Sequence, residues 1–305
     1  MNLSWLDDFL ALAATGNFSR AADERHMTQP AFSRRIRALE EWLGTELFDR
    51  SSQPARLTDA GKWFSGAAQA LLAHVARIPG EACAVADAAG ATLRFAATHA
   101  LSFSFLPGWL RELESHTAAR PISLESDVLP RCEALLLQGK VQFVLSHAHP
   151  QVQGLLQAAS YPSALIGQDL LLPVSRPDPQ GLPLHALVGA NPTTVQMLSY
   201  STESGIGGIL RGVCGPALDR MKIQVVFTAH LASVLRTMVL DGRGMAWLPQ
   251  TLIGPDLERG RLVAAAPAQW NVALEIRLYR EPSPIGQAAQ AFWQAVCRQR
   301  LDPNP

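Results

Sequence analysis

The chain has 305 residues, 48% of them hydrophobic and 17% charged, which suits two or three packed domains and excludes a disordered chain. Its 26 lysines and arginines balance 26 aspartates and glutamates, so any contact with nucleic acid must come from local clustering of charge. The four cysteines form no CxxC pair, which argues against a zinc knuckle or a disulfide framework.

The first residues, MNLSWLDD, lack the basic and apolar segments of a secretory signal. The longest apolar stretches are interrupted before the roughly 20 residues that a membrane helix needs. We therefore expect a cytoplasmic protein with no membrane contact.

Three helices are predicted in the first 43 residues, at 3–14, at 19–26 and from Gln29-Pro30 onward. Thr28 stands where the N-cap of the third helix belongs, and proline is well tolerated in a first turn. Phe32, Ile36, Leu39 and Leu43 form one buried stripe of this helix. The opposite face carries Pro30, Ser33, Arg34 and Arg37.

Short strands are predicted at 46–50 and 55–58, joined by a turn at 51–54. Three helices followed by a hairpin form a winged helix-turn-helix. Thr58 then caps a helix at 59–78, whose stripe of Phe64, Ala67, Leu71 and Val75 requires a partner helix. Pro79-Gly80 is expected to end or kink this helix before a hinge that reaches residue 90.

Beyond residue 90, strand and helix patterns alternate, which predicts an α/β sheet with crossover helices. The predicted strands are 92–98, 121–127, 141–146, 168–174, 196–201, 222–228, 243–248 and 273–280. The predicted helices are 102–117, 130–139, 205–219, 230–241 and 285–300.

Several spaced motifs together resemble the LysR-type transcriptional regulators. They are FSRAA at 18–22, TQPAFSRRIRALE at 28–40, LG at 43–44, LFDR at 47–50, LTDAG at 57–61, THAL at 98–101 and LDGRGMAWLP at 240–249. The resemblance implies a winged helix-turn-helix at 1–58, a linker helix and hinge at 59–90, and an effector domain at 91–305. That domain is expected to be α/β, two-lobed and like a periplasmic binding protein, with lobe I at about 91–162 and 268–305 and lobe II at about 163–267.

The third helix is expected to enter the major groove of double-stranded operator DNA. Gln29, Ser33 and Arg34 are predicted base readers, because Arg can bond guanine and Gln can bond adenine. The resemblance implies phosphate contacts for Thr28, Arg37, Arg50 and Thr58. It also implies that Gln53 and Pro54 at the wing tip approach the minor groove. The remaining predicted DNA-binding residues are Thr28, Pro30, Arg37, Arg50, Gln53, Pro54 and Thr58. The alternative is a solvated arginine face balanced by neighbouring acids.

An effector is expected between the lobes, where two strand-to-helix loops offer hydroxyls and backbone N–H groups to an anionic or polar molecule. The alternative for each residue is ordinary helix capping. The predicted lining is Thr98, His99, Ser102, Ser146, His147, Thr202, Glu203, Ser204 and Thr228. The two histidines lack supporting ligands, so we expect neither a metal nor any other cofactor.

Within the family, the motifs resemble the hypochlorite-responsive branch, which is associated with methionine oxidation. Ile206 and Leu231 occupy the positions at which this resemblance would place reactive methionines. Met238 and Met245 are expected to be core residues. The alternative function is a redox-responsive regulator switched by oxidation of cysteine or methionine, with Cys132 and Cys214 as the candidate thiols.

Three other classes of protein compete with a ligand-responsive regulator. An enzyme is not expected, because GxSxG, GxGxxG, Walker and HExxH motifs are absent from the sequence. A solute-binding protein would need an export signal, and an architectural DNA-binding protein would have no effector. The expected partners are operator DNA, a small-molecule effector and a second copy in a homodimer or homotetramer, with RNA polymerase as a further candidate.

Overall fold

The computed structural model describes residues 2–51, 54–86, 92–114, 120–187, 194–282 and 285–299. It divides into two compact units, Met1–Ile78 and Pro79–Pro305. Each unit has its own hydrophobic core.

The first unit is the predicted winged helix-turn-helix. Phe9 lies at the centre of its core, with its ring centroid 5.2 Å from that of Phe48 and 5.0 Å from that of Phe64. The wing, the hairpin of β1 and β2, is antiparallel. The elements are α1 (Leu3–Thr15), α2 (Phe18–Glu24), α3 (Gln29–Leu43), β1 (Phe48–Asp49), β2 (Arg56–Leu57) and α4 (Asp59–Ala86).

Helix α4 differs from the prediction in length and in its buried face. It does not end at Pro79-Gly80, because the one backbone hydrogen bond that proline removes does not stop a helix this long. Phe64 is buried in the core of the first unit, so the predicted stripe is not wholly unpartnered. Leu71 and Ile78 follow Phe64 at seven-residue spacing on the same side of the helix but are exposed, as is Trp63.

The second unit contains a seven-stranded sheet of order β10-β6-β11-β5-β3-β4, with β9 also paired to β6. Strands β7 and β8 form a separate parallel pair. Strands were predicted at eight places, and a strand lies at each. The strands are β3 (Leu93–Thr98), β4 (Ile122–Asp127), β5 (Phe143–Ala148), β6 (Ser163–Ser175), β7 (Val195–Tyr200), β8 (Ile223–Ala229), β9 (Ala246–Pro249), β10 (Val263–Ala264) and β11 (Val272–Arg280).

Eight helices cover these strands in the described part of the second unit. The predicted helix at 102–117 is two helices, and α8, α11 and the short β10 were not predicted. The helices are α5 (His99–Ser104), α6 (Leu106–Glu114), α7 (Leu129–Leu137), α8 (Leu155–Ala158), α9 (Gly205–Leu218), α10 (Ala232–Leu240), α11 (Gln250–Glu258) and α12 (Gly286–Gln299).

The second unit has two lobes that share β6 and β11. In lobe I, Phe95 and Phe143 pack with residues 164–166 of β6 and 276–278 of β11. In lobe II, Trp247 and Leu235 pack with residues 171–174 of β6 and 272–274 of β11. Along β6, the side chains leave the core of lobe I after Ile166 and enter that of lobe II at Leu171. Along β11, they leave the core of lobe II after Leu274 and enter that of lobe I at Ile276. Both changes lie several residues after the predicted lobe limits at 163 and 268, because each shared strand runs through both cores.

Candidate DNA-binding surface and interlobe cleft

The outer face of α3 presents most of the residues that the sequence predicted for DNA. Thr28, Gln29, Pro30, Arg34 and Arg37 are exposed, and Ser33 is half-buried. Thr28 occupies the N-cap position with extended backbone, but its side chain makes no capping hydrogen bond. The expected capping role of this hydroxyl is therefore wrong, and its phosphate contact remains a prediction.

The arginines around α3 fall into two groups. Arg25 and Arg35 bind the fully buried carboxylate of Asp8, at 2.8 Å from Nε to Oδ1 and 3.0 Å from Nη1 to Oδ2. They tie α1 to α3. Arg34 and Arg37 form no ion pair with a described residue, so their charge remains available on the outer face.

Arg50 is part of the internal support of the wing. Glu40 of α3 is buried, and it accepts hydrogen bonds from the backbone N–H groups of Leu47 and Phe48 at 2.9 and 3.2 Å. Its other oxygen lies 2.5 Å from Nη2 of Arg50, whose guanidinium also covers the Phe18 ring. Arg50 is therefore held by two partners, and its phosphate contact remains a prediction.

Thr58 and the wing tip complete the predicted DNA surface. The Thr58 hydroxyl accepts the N–H of Gly61 at 3.0 Å, which confirms its capping of α4, and donates to the Glu46 carbonyl at 2.8 Å. Pro54 is exposed, beside the turn at Gly16. Gln53 lies outside the described residues.

Two adjoining cavities lie between the lobes of the second unit. The smaller has a volume of about 30 Å³, and the larger has a volume of about 230 Å³. Leu129, His147, Ser204 and Gly205 line both. Lobe I and lobe II each contribute walls, and we call the two cavities together the cleft.

Three helices of nine or more residues, α7, α9 and α10, begin at the smaller cavity, and the six-residue α5 begins there as well. The N-cap residues of α7 and α10 are Val128 and Leu231, whose side chains make no capping hydrogen bond. Ser204 caps α9 by accepting the N–H of Gly207 at 3.2 Å. Helix N-termini carry partial positive charge and unpaired N–H groups, so their convergence favours a negatively charged occupant.

Two buried polar atoms at the smaller cavity have no hydrogen-bond partner among the described residues. They are Oγ1 of Thr98 and Nδ1 of His147. An unpaired buried polar atom costs about 1–3 kcal/mol. A ligand with polar groups would remove that cost.

The predicted lining residues divide between the two cavities. Thr98 and His99 line the smaller one, and His147 and Ser204 line both. Ser146, Thr202 and Glu203 line the larger one.

The other two predicted residues line neither cavity. The Ser102 hydroxyl donates to the His99 carbonyl at 2.9 Å and lies 2.7 Å from Oγ of Ser126, so it points behind the cleft wall. Thr228 is exposed on β8, two residues before His230, which lines the smaller cavity.

His99 and His230 face each other across the smaller cavity, with ring centroids 6.0 Å apart. Nδ1 of His99 lies 2.9 Å from Oγ of Ser126. Burial lowers the pKa of His99, and nearby His230 lowers it further, against the opposing charge of Asp127. The lowered pKa favours a neutral ring at neutral pH.

Several cleft residues were not predicted, including Asp127, Leu129, Glu133, His230 and Tyr279. Asp127 had a usable signal: β3 and β4 are parallel neighbours, so their carboxyl ends meet at one edge of the sheet. The approach of Tyr279 depends on long-range pairing of β11 with β5, which local pattern does not reveal.

Glycines on α9 allow the lobes to approach closely. A β-carbon added at Gly205 would lie 2.8 Å from Cδ2 of Leu129, and one at Gly212 would lie 2.7 Å from Cγ2 of Val152. Both neighbours belong to lobe I. The described residues contain no group of three or more His, Cys, Asp or Glu arranged to hold a metal ion.

Family models match both units. Residues 3–62 match the bacterial regulatory helix-turn-helix protein of the lysR family, and residues 86–300 match the LysR substrate binding domain. The chain belongs to the LysR family. It is accordingly a DNA-binding transcriptional regulator with an effector-binding domain.

LysR relatives cover nearly the whole chain. The HTH-type transcriptional regulator YjiE of Escherichia coli is 29% identical over 96% of this chain and 93% of its own length. Two full-length structures are similar. DarR of Vibrio fischeri, solved in complex with DNA, is 29% identical with a TM-score of 0.57 and coverage of 97% and 98%. HypT of Salmonella typhimurium, a hypochlorite-specific regulator, is 27% identical with a TM-score of 0.58 and coverage of 99% and 98%.

No helix in the described part of the chain has the length and apolar character needed to cross a membrane.

Proposed function

We propose that this LysR-family regulator binds operator DNA through α3 and the wing, and that a small anionic or other polar effector between the lobes switches its activity. The proposed assembly is a homodimer or homotetramer in the cytoplasm, where chromosomal DNA is accessible. The observation that carries the effector proposal is the smaller cavity. Three helix N-termini and two unpartnered buried polar atoms meet there.

The proposed switch is a change in the separation of the lobes. An anion that contacts N-termini of both α7 and α9 bridges lobe I and lobe II, so it favours whichever lobe arrangement brings these helices together. The ligand must bind one arrangement better than the other, because equal affinity shifts no equilibrium.

Single threonine substitutions test the proposed site. Thr98→Val and Thr202→Val remove one hydroxyl from each cavity, whereas Thr228→Val removes an exposed hydroxyl outside both. We expect the first two to abolish effector response in a reporter assay while operator affinity stays unchanged. A normal response from the Thr98→Val/Thr202→Val double variant would contradict the proposal.

Oxidation of a thiol or thioether is the alternative switch, as the resemblance to HypT suggests. Burial raises the pKa of Cys132 to about 12, and it raises that of Cys214 as well, so both thiols resist conversion to the reactive thiolate. Met245 is fully buried. Loss of response in Cys132→Ser or Cys214→Ser, with normal response in the threonine variants, would favour oxidation.

A further inference from the structure

His147 on β5 is the buried ring that connects the cleft to the strands shared by the lobes. Its side chain is 2% exposed, and it lines both cavities. Nε2 lies 3.1 Å from Oδ2 of Asp169 on β6, whereas Nδ1 has no hydrogen-bond partner among the described residues. One ring nitrogen is therefore committed to Asp169, and the other is unused.

Asp169 is an acceptor of four hydrogen bonds. Oδ1 accepts the N–H groups of Leu170 at 2.8 Å and Thr251 at 3.1 Å, and Oδ2 accepts the Thr251 hydroxyl at 2.7 Å as well as His147. Burial alone would raise the pKa of Asp169, but the hydrogen bonds from His147 and Thr251 outweigh burial and lower it. Asp169 is thus a carboxylate at neutral pH and can only accept hydrogen bonds. Its bond with His147 therefore requires a proton on Nε2.

The unused Nδ1 has two possible states, and the cleft determines which is stable. In a neutral ring, Nδ1 is an acceptor without a donor. In a protonated ring, Nδ1–H would be a charged donor buried without an acceptor, which costs more. An anion in the cleft would supply both an acceptor for Nδ1–H and a compensating charge, so its binding favours the protonated ring.

Other ionisable groups surround this ring and compete for a proton. Burial raises the pKa of Glu133 and of Tyr200, so Tyr200 stays a phenol and Glu133 is the carboxyl most able to accept a proton. Arg277 is paired with Glu275 on β11. The groups facing the cleft from the neighbouring elements are His99 on α5, Asp127 on β4, Glu133 on α7, Glu203 before α9, His230 after β8 and Tyr279 on β11.

We propose that the cleft binds its anion together with one proton, which is taken from solvent and placed on Nδ1 of His147. The imidazolium then lies between two anions, Asp169 on one side and the effector on the other. This inference rests on the proposed effector site and specifies how that site responds to pH. Affinity for a fully ionised anion should rise as pH falls, by up to about tenfold per pH unit while the empty site is neutral and the occupied site is protonated.

Calorimetry of the full-length protein tests the proton count. Sodium acetate, sodium benzoate and sodium chloride are titrated at about pH 7 in two cationic buffers of different ionisation enthalpy, Tris and bis-Tris. The difference in observed heat gives the protons bound per anion. We expect about one for the wild type and for His185→Gln, whose ring lines neither cavity and lies beside the Gly242 carbonyl, and none for His147→Gln.

The outcomes separate the two proposals. Binding without proton uptake in the wild type overturns the role of His147 and leaves the anion site intact. Uptake that persists in His147→Gln, or that disappears in His230→Gln or Glu133→Gln instead, assigns the proton elsewhere and also overturns it. Absence of binding by all three probes removes the proposed anion site together with the inference.

A second measurement protects the test against a variant that fails to fold. Nitrogen-15 spectra of histidine rings in the wild-type protein distinguish the neutral tautomers from imidazolium. We expect one ring with its proton on Nε2 to become imidazolium when the effective probe saturates the site. If no ring changes protonation on saturation, the proposal is wrong.

Discussion

Two buried carboxylates of the first unit determine which arginines remain available to DNA. Asp8 binds Arg25 and Arg35, and Glu40 binds Arg50. The cluster that the sequence presented as one basic face is therefore partly internal. Arg34 and Arg37 remain exposed on α3 and are the strongest candidates for contact with DNA.

Arg34→Ala should change both the affinity and the preferred sequence of the operator. A base-edge arginine that bonds guanine through two hydrogen bonds contributes roughly 1–3 kcal/mol of discrimination. Arg37→Ala is the matched control, and as a phosphate contact it should weaken binding to all sequences alike. Selections on random DNA measure both. An unchanged preferred site in Arg34→Ala would identify Arg34 as a phosphate contact.

Glu40→Ala should strongly destabilise the first unit. The substitution leaves two buried N–H groups without an acceptor and the partly buried Arg50 without its counter-charge, a loss of roughly 3–5 kcal/mol. Glu41→Ala removes an exposed carboxylate from the next position and should change the free energy of unfolding by less than about 0.5 kcal/mol. Urea denaturation measures the difference, and equal effects of the two variants would refute this role for Glu40.

Sequence pattern identified the exposed residues of α3 more readily than it identified internal pairs. Arg34 and Arg50 look alike in the sequence, but only Arg50 is held by Glu40. Likewise, His147 was predicted at the cleft, whereas its partner Asp169 was not. Such pairs are set by packing between elements distant along the chain, and local periodicity carries no information about them.

At the scale of elements, α4 presents an exposed apolar face formed by Trp63, Leu71 and Ile78. Leu71→Asp should weaken self-association and operator binding together, because a charge there would be buried in a helix-to-helix dimer contact. Gln69→Asp introduces the same charge on the opposite exposed face and should leave both unchanged. Sedimentation and DNA binding provide the readouts. If Leu71→Asp keeps the wild-type oligomer, the dimer is built elsewhere.

Asp169 connects elements of both lobes, since its partners are His147 on β5 and Thr251 on α11. Its pKa in the folded protein is lowered, so its contribution to stability is present above the unfolded carboxyl pKa of about 4 and is lost as pH falls through the lower folded value. Asp169→Asn should therefore flatten the acid side of the stability profile. The exposed control Asp219→Asn should not. Identical profiles for the two variants would contradict the assignment.

The elements were mostly predictable, and their exceptions have physical causes. Strands β3 and β5 are mostly buried and largely apolar, so their pattern was clear, but β6 begins at Ser163 rather than 168. Its first residues alternate less clearly because the strand passes from one core to the other. Helix α8 has only four residues, which is too few to show a helical period.

At the scale of the whole molecule, the two units have separate cores, which predicts separable functions. A fragment of residues 87–305 should fold and bind the anionic probe with wild-type affinity, but it should not bind DNA. Calorimetry and gel-shift assays measure the two activities, with the full-length chain as the reference. Loss of anion binding in a folded fragment would show that the cleft depends on the first unit.

Gly205 and Gly212 give the lobes a built-in limit of approach. Each lacks the one carbon atom that would collide with lobe I. Replacing either by alanine adds a spacer of a single methyl group, and larger residues add longer spacers. A series of side chains of increasing size at these positions would hold the lobes progressively farther apart. Because Gly212 lines neither cavity, the series at that position would relate lobe separation to transcriptional output without any effector present.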